Sequence, residues 1–258
     1  MTSHPVELRS HLTKWLEYFQ QHSVGSDPIA WDTDDALTEV DRERISRSIA
    51  TFQLGESSEG KGLMKAAQSL AEQYSVSELV EITRLFIKEE QHHASLLKRY
   101  MDRHEMPILK KEFSDKLFRK LRKGVGLAQI ISVLISAEII ALVYYQALRD
   151  CTDSCLLKSI CQKILEDELS HVEYESKLLA CLRSRYPWPI RLLVRTAHEI
   201  FFGGTVILVY RDHRSVLLQG GYNLVRFWQV CWQVFSRYFN RKQQDAWTCQ
   251  VLNSLQGS

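Results

Sequence analysis

The sequence predicts an all-α fold, and three observations carry that expectation. The five prolines, Pro5, Pro28, Pro107, Pro187 and Pro189, fall between long proline-free stretches. Period-two alternation of Val, Ile and Thr, the mark of a half-buried strand, is almost absent. Apolar residues recur instead at steps of three and four, the spacing that gathers side chains on one face of a helix.

The elements follow in order. A short helix is expected near residues 6–21, then a long one from about 38 to 74, a second from about 76 to 101, a third from about 125 to 150 and a fourth from about 154 to 186. Thr38 with Asp41, and Ser75 with Glu78, have the spacing in which a hydroxyl caps the first turn and an acid reaches back. The second pair leaves only a tight turn after Tyr74, so the first two long helices should be antiparallel neighbours. Two more helices, about 189–210 and 221–240, are expected to be split by the Gly220-Gly221 pair. The organisation expected is an N-terminal helical extension (1–37), a four-helix bundle (38–186) and a C-terminal helical extension packed on the bundle (187–258).

A chain of 258 residues, 45% hydrophobic, can bury one sizeable core. Thirty-three basic against 31 acidic residues give a formal charge of +2, which argues against a dedicated nucleic-acid binder. The six cysteines form no C-x-x-C pair, and the N-terminus lacks the charged-then-apolar layout of a signal peptide. A cytoplasmic, reduced protein is the expectation.

The apolar stripes are interrupted by acids. The first long helix gives Ile45, Ile49, Phe52, Glu56, Glu59, Leu63, Ala66 and Leu70 on one face, and the second gives Leu79, Thr83, Phe86, Glu90, His93, Leu97 and Tyr100. The third gives Ile131, Leu134, Glu138, Ala141, Tyr145 and Leu148, and the fourth Cys161, Ile164, Glu168, His171, Glu175, Leu178 and Leu182. Each stripe thus carries acid near its middle, and two add a histidine three residues later. A lone buried carboxylate costs several kcal/mol, roughly, or stays protonated, and four together repel one another. Two divalent metals remove the conflict, because four carboxylates balance their charge and neutral imidazoles complete the coordination. The order Glu, E90-Q-H-H93, Glu138, E168-L-S-H171 supplies a Glu from each of two helices and a Glu-x-x-His from each of the other two. One such motif arises easily by chance; two, each about thirty residues after a core-facing acid, do not.

Two assignments stay open at this level. Glu89 with His92 has the same spacing as Glu90 with His93 but a shorter stripe, so Glu90 and His93 are preferred. In the first long helix either Glu56 or Glu59 is the ligand, with the other an extra or supporting acid. Glu175, one turn after His171, is a candidate to hold a histidine ring or approach a metal.

The segment F52-Q-L-G-E56-S resembles the first-helix segment of rubrerythrins and of cyanobacterial aldehyde-deformylating oxygenases, where a Gly-Glu pair carries the first ligand. His93-Ala94 also resembles rubrerythrin, and the metal pattern resembles that of the ribonucleotide reductase small subunit. On these residues, about 38–186, the chain is similar to the ferritin-like superfamily of di-iron carboxylate proteins. It departs from rubrerythrins in lacking the paired cysteines of a rubredoxin domain and in having Ala141 where they carry a further acid, which makes peroxide reduction less expected.

The resemblance implies two iron ions (Fe2+/Fe3+), with manganese an alternative in one or both positions, ligated by the seven candidates Glu56, Glu59, Glu90, His93, Glu138, Glu168 and His171. It implies a di-iron oxygenase or oxidase that takes dioxygen, a small or lipophilic organic substrate and an external electron donor. Ferroxidase or iron-handling activity is the alternative, and a non-catalytic helical scaffold a second. Phe52, Phe86, Leu134 and Ile164, each one turn before a candidate ligand, are expected to line the substrate pocket. Tyr144, Tyr145 and Tyr174 are core aromatics with a redox role as the alternative. Residues 125–148 are long enough to span a membrane, but Glu138 at the midpoint favours a buried bundle helix. The last helix, with Phe227, Trp228, Trp232 and Phe235 beside Arg226 and Arg237, is expected to pack on the bundle, with membrane-surface contact or homodimerisation as alternatives.

Overall fold

The computed structural model describes residues 4–22, 29–57, 60–109 and 126–239, and all regular structure among them is helical. The helices are α1 (His4–His22), α2 (Glu39–Glu56), α3 (Lys61–Tyr74), α4 (Glu78–Arg103), α5 (Leu127–Asp150), α6 (Cys155–Ser184), α7 (Trp188–Asp212), α8 (Arg214–Gln219) and α9 (Leu224–Phe239). The protein is a helical bundle, as the apolar periodicity predicts.

Helix boundaries follow local chemistry. Thr38 caps α2 as expected, its hydroxyl accepting from the Asp41 N–H at 3.1 Å. Ser154 caps α6 by accepting from the Leu157 N–H at 3.0 Å, and its own hydroxyl donates to the buried Asp35 at 2.7 Å, tying the start of α6 to the 29–38 segment. Two expectations need correction. The helix expected over 38–74 is broken: α2 stops at Glu56, and α3 restarts behind Gly60, whose φ of 61° is a left-handed conformation that an L side chain resists. A Cβ at Gly60 would also meet Ile87 Cδ1 at 2.4 Å, so glycine lets α3 approach α4 here. Ser75 does not open α4. It ends α3 at φ 54°, its N–H bonded to Ala71 O, and α4 starts behind Ser77.

α5 is the central helix. It is long and apolar enough to cross a membrane by composition, yet 72% of its most apolar stretch is buried, chiefly by its long interface with α6. α4 packs on α2, α1, α3 and α6, so α2, α4, α5 and α6 surround one interior. α7 and α9 lie outside this set, packed on each other and on α5, with α8 wedged against α5 and α2. Phe227, Cys231, Phe235 and Phe239 of α9 are buried, which is the packing expected of the last helix.

Candidate metal centre

α4 and α6 each turn a Glu-x-x-His motif into the interior. The three-residue step puts Glu90 with His93, and Glu168 with His171, on single helix faces. Both histidines are fully buried, Glu168 is 1% exposed, and the two imidazoles stand 5.8 Å apart between centroids. Glu56, the last residue of α2, and Glu138, midway along α5, are buried opposite them.

The donor atoms of Glu56, Glu90, His93 and Glu168 lie within 4.8 Å of one another, and so do those of Glu90, Glu138, Glu168 and His171. Glu90 and Glu168 belong to both groups. Glu168 sits between the histidines, with Oε1 at 3.5 Å from His93 Nδ1 and Oε2 at 3.5 Å from His171 Nδ1. A metal fits each group on a direct observation. Glu90 Oε1, both Glu138 carboxylate oxygens, Glu168 Oε2 and the Nδ1 atoms of His93 and His171 are buried with no hydrogen bond to satisfy them. Two of the six, Glu90 Oε1 and His171 Nδ1, face each other at 3.1 Å without hydrogen-bond alignment, and six such unsatisfied polar atoms at one place, each costing on the order of 1–3 kcal/mol, fit poorly with a purely structural core.

The far ring nitrogens explain how Nδ1 is presented. His93 Nε2 donates to Asp167 Oδ2 at 2.9 Å, and His171 Nε2 donates to Glu89 Oε2 at 2.8 Å. Because a carboxylate only accepts, each Nε2 carries a proton, so the nitrogen each ring can offer a metal, once its own proton has left, is the inward Nδ1. The pairing is reciprocal. The acid immediately before the α4 ligand steadies the α6 histidine, and the acid immediately before the α6 ligand steadies the α4 histidine. Asp167 is held in turn by Lys163 at 2.5 Å. Both acids should therefore tune the site: Asp167→Asn and Glu89→Gln are each expected to weaken metal affinity by about 10–100-fold while leaving the number bound at saturation unchanged. Competition against a chelator of known affinity measures this.

Without metal the cluster holds protons tightly. Burial, reinforced by neighbouring acids, pushes the carboxyls of Glu56 and Glu138 well above the usual range, and burial does the same at Glu175. Burial works against a proton on His93, but the hydrogen bond to Asp167 and the Glu168 carboxylate 3.5 Å from Nδ1 outweigh it and raise the ring to about 10. His171 is raised in the same way by Glu168, Glu89 and Glu90. Despite their own burial, Glu168 and Asp167 are drawn down to about 2 by the protonated histidines beside them.

The sequence candidates are thus placed one by one. Glu56, Glu90, His93, Glu138, Glu168 and His171 converge. Glu59 lies outside the described residues. Of the alternative pair, Glu89 steadies His171 and His92 is exposed on the outer face of α4. Glu175, 1% exposed, neighbours Glu138 without joining either donor group. Tyr145 donates to Glu56 Oε1 at 2.8 Å, Tyr144 lies 2.8 Å from Ser48 Oγ, and Tyr174 packs against Trp15 and Phe19 of α1. Of the expected pocket walls, Phe86 stands 4.6 Å from the His171 ring, Phe52 is stacked on Tyr144, Ile164 is buried and Leu134 is half-buried. Asp167 went unnoticed in the sequence, although an acid precedes both Glu-x-x-His motifs. Comparison of the chain with protein-family models, with curated proteins and with solved structures finds no match.

Proposed function

We propose that the chain is a ferritin-like dinuclear metal protein, with iron the preferred metal and manganese the alternative. We propose further that it is an oxidase or oxygenase acting on a small or lipophilic organic molecule. The observation that carries this reading is the pair of four-residue donor groups sharing Glu90 and Glu168, with their inward-facing atoms orphaned. Such a pair of sites suits two ions held close together, one beside each histidine. A reduced iron pair supplies two electrons to dioxygen together, drawn in turn from an external donor.

The chain's own residues would do the rest. Glu56 and His93 would hold one ion, Glu138 and His171 the other, and the shared acids would link them. Glu89 and Asp167 keep the imidazoles in one tautomer and orientation. Tyr145 anchors the free end of the Glu56 carboxylate at the last turn of α2. α1 covers the His171 side: Phe19 stacks on that ring at 6.0 Å, Trp15 packs against Phe19 and Tyr174, and Tyr18 donates to Ser170 at 2.5 Å. This aromatic cover excludes water, which strengthens every charge interaction inside. Phe86, against His171, is the side chain best placed to border a substrate.

Anaerobic ferrous loading followed by elemental analysis tests the site, with two ions per chain expected and zero or one overturning it. Oxygen then separates the readings. Rapid mixing of the loaded protein with oxygen should give a transient visible absorption whose decay a substrate accelerates. Slow, monotonic oxidation with hundreds of irons taken up per assembly would instead establish iron storage.

A further inference from the structure

We propose that the outward face of α7 seats the protein on the surface of an anionic lipid bilayer. α7 is the second helix long and apolar enough to cross a membrane, but only 33% of its most apolar stretch is buried, less than half the fraction for α5. Leu193, Ile200 and Ile207 are spaced by seven, hence share one face, and are 69%, 72% and 54% exposed; Trp188 at the helix start is 68% exposed. From Leu193 to Ile207 this apolar stripe runs about 21 Å at the rise of an α-helix, with Trp188 flanking it at the helix start. Single exposed apolar residues are ordinary on protein surfaces, whereas a stripe of this length along one helix marks an interface.

Charge selects the occupant. Residues 183–239 contain eight arginines and two acids, in a chain whose formal charge is only +2, and six of the arginines remain once buried Arg183 and Arg185, held over Tyr74, are set aside. Arg191 lies half-buried in the first turn of α7, off the stripe, and Arg211 and Arg214 lie exposed beyond its far end. The two acids are neutralised locally, Glu199 by Arg195 and Asp212 by Arg211. An apolar face on a helix with cations at both ends fits an interfacial helix on anionic headgroups. A second copy of the chain fits badly, because an antiparallel pairing of α7 sets the arginines of one end against those of the other, and a parallel pairing sets like ends together. Crossing the bilayer is also disfavoured: the inner face of α7 is committed to the bundle through buried Phe202, Gly203 and Val206 and through His198, bonded to Ser136 at 3.0 Å. Ser136 and Glu138 lie on opposite faces of α5, so α7 and α5 would stand between a bilayer on this face and the proposed metal centre. The inference itself does not depend on the metal.

Co-sedimentation of the full chain with phosphatidylglycerol/phosphatidylcholine vesicles tests it, with phosphatidylcholine vesicles as the comparison. The protein should sediment with the anionic vesicles and be largely released by high salt. L193S/I200S should lower binding by about tenfold or more, and R211Q/R214Q should remove most of the salt-sensitive part. These positions are exposed, and circular dichroism confirms that each variant is folded. No binding to anionic vesicles, or binding indifferent to L193S/I200S, would overturn the proposal. So would light scattering that shows a dimer which L193S/I200S converts to monomer, since the face would then belong to a second copy.

Discussion

Glu168→Gln is expected to remove both metal ions, whereas substituting a donor on one side should remove one. The asymmetry follows from position. Glu168 places a different oxygen toward each histidine, at 3.5 Å from both Nδ1 atoms, whereas Glu90 approaches both with Oε1, and Glu168 is the acid drawn down to about 2 between them. An amide keeps one weaker, neutral acceptor oxygen and presents an NH2 group to the other ion, so one position loses a ligand outright, the other exchanges a charged ligand for a neutral one, and the shared charge is lost to both. Affinity at each should fall well beyond the roughly 10–100-fold of an outer-shell change. Glu56→Gln should empty or weaken the position beside His93 and leave one ion, and Glu138→Gln should do the same beside His171, because each belongs to a single donor group. Glu90→Gln repeats the test of sharing at a more exposed site, its side chain being 17% exposed, in case Glu168→Gln leaves the buried histidine charges uncompensated and the chain unfolded. Elemental analysis after anaerobic loading reads all four variants. Two ions retained in folded Glu90→Gln and Glu168→Gln would show that the acids are not shared.

Helical periodicity alone carried the fold class and most element positions, because stripes such as Leu79–Thr83–Phe86–Glu90 keep step with the helix over many turns. The break after Glu56 was not legible in the same way. The apolar pattern runs on through Leu63, Ala66 and Leu70 as though the helix continued, and what stops it is a left-handed glycine at 60 with Ile87 of α4 pressed against it. That contact is tertiary, so no window of local sequence contains it. The same distinction divides the site. Glu90, His93, Glu168 and His171 could be read because they interrupt their own stripes. Glu89 and Asp167 stand one residue earlier, rotated about 100° around their helices, and so face the neighbouring helix rather than the stripe. Their roles emerge only once α4 and α6 are known to lie side by side.

Metal-free and metal-loaded protein should respond to pH in opposite directions. In the metal-free fold His93 is raised to about 10, and His171, Glu56, Glu138 and Glu175 are raised as well. Each raised group binds its proton more tightly folded than unfolded. Its stabilisation is therefore complete below the unfolded pKa and lost as pH climbs toward the folded one. For His93 that window runs from about 6.5 to about 10. Glu168 and Asp167, lowered to about 2, act oppositely, but their contribution is already complete near neutrality and is lost only in acid. Above pH 6.5 the metal-free protein should accordingly lose stability at about 1.4 kcal/mol per pH unit for each proton involved, and its denaturation midpoint should fall. Metal binding must expel the same protons, because only neutral imidazole and ionised carboxylate are ligands. Affinity should therefore rise by roughly tenfold or more per pH unit across the same window, with acid released into a weakly buffered solution on loading. Calorimetry in buffers of different ionisation enthalpy counts those protons, and chemical denaturation of both forms from pH 6 to pH 9 gives the two slopes. Equal slopes, or loading without proton release, would mean that the buried cluster is not where the metal binds.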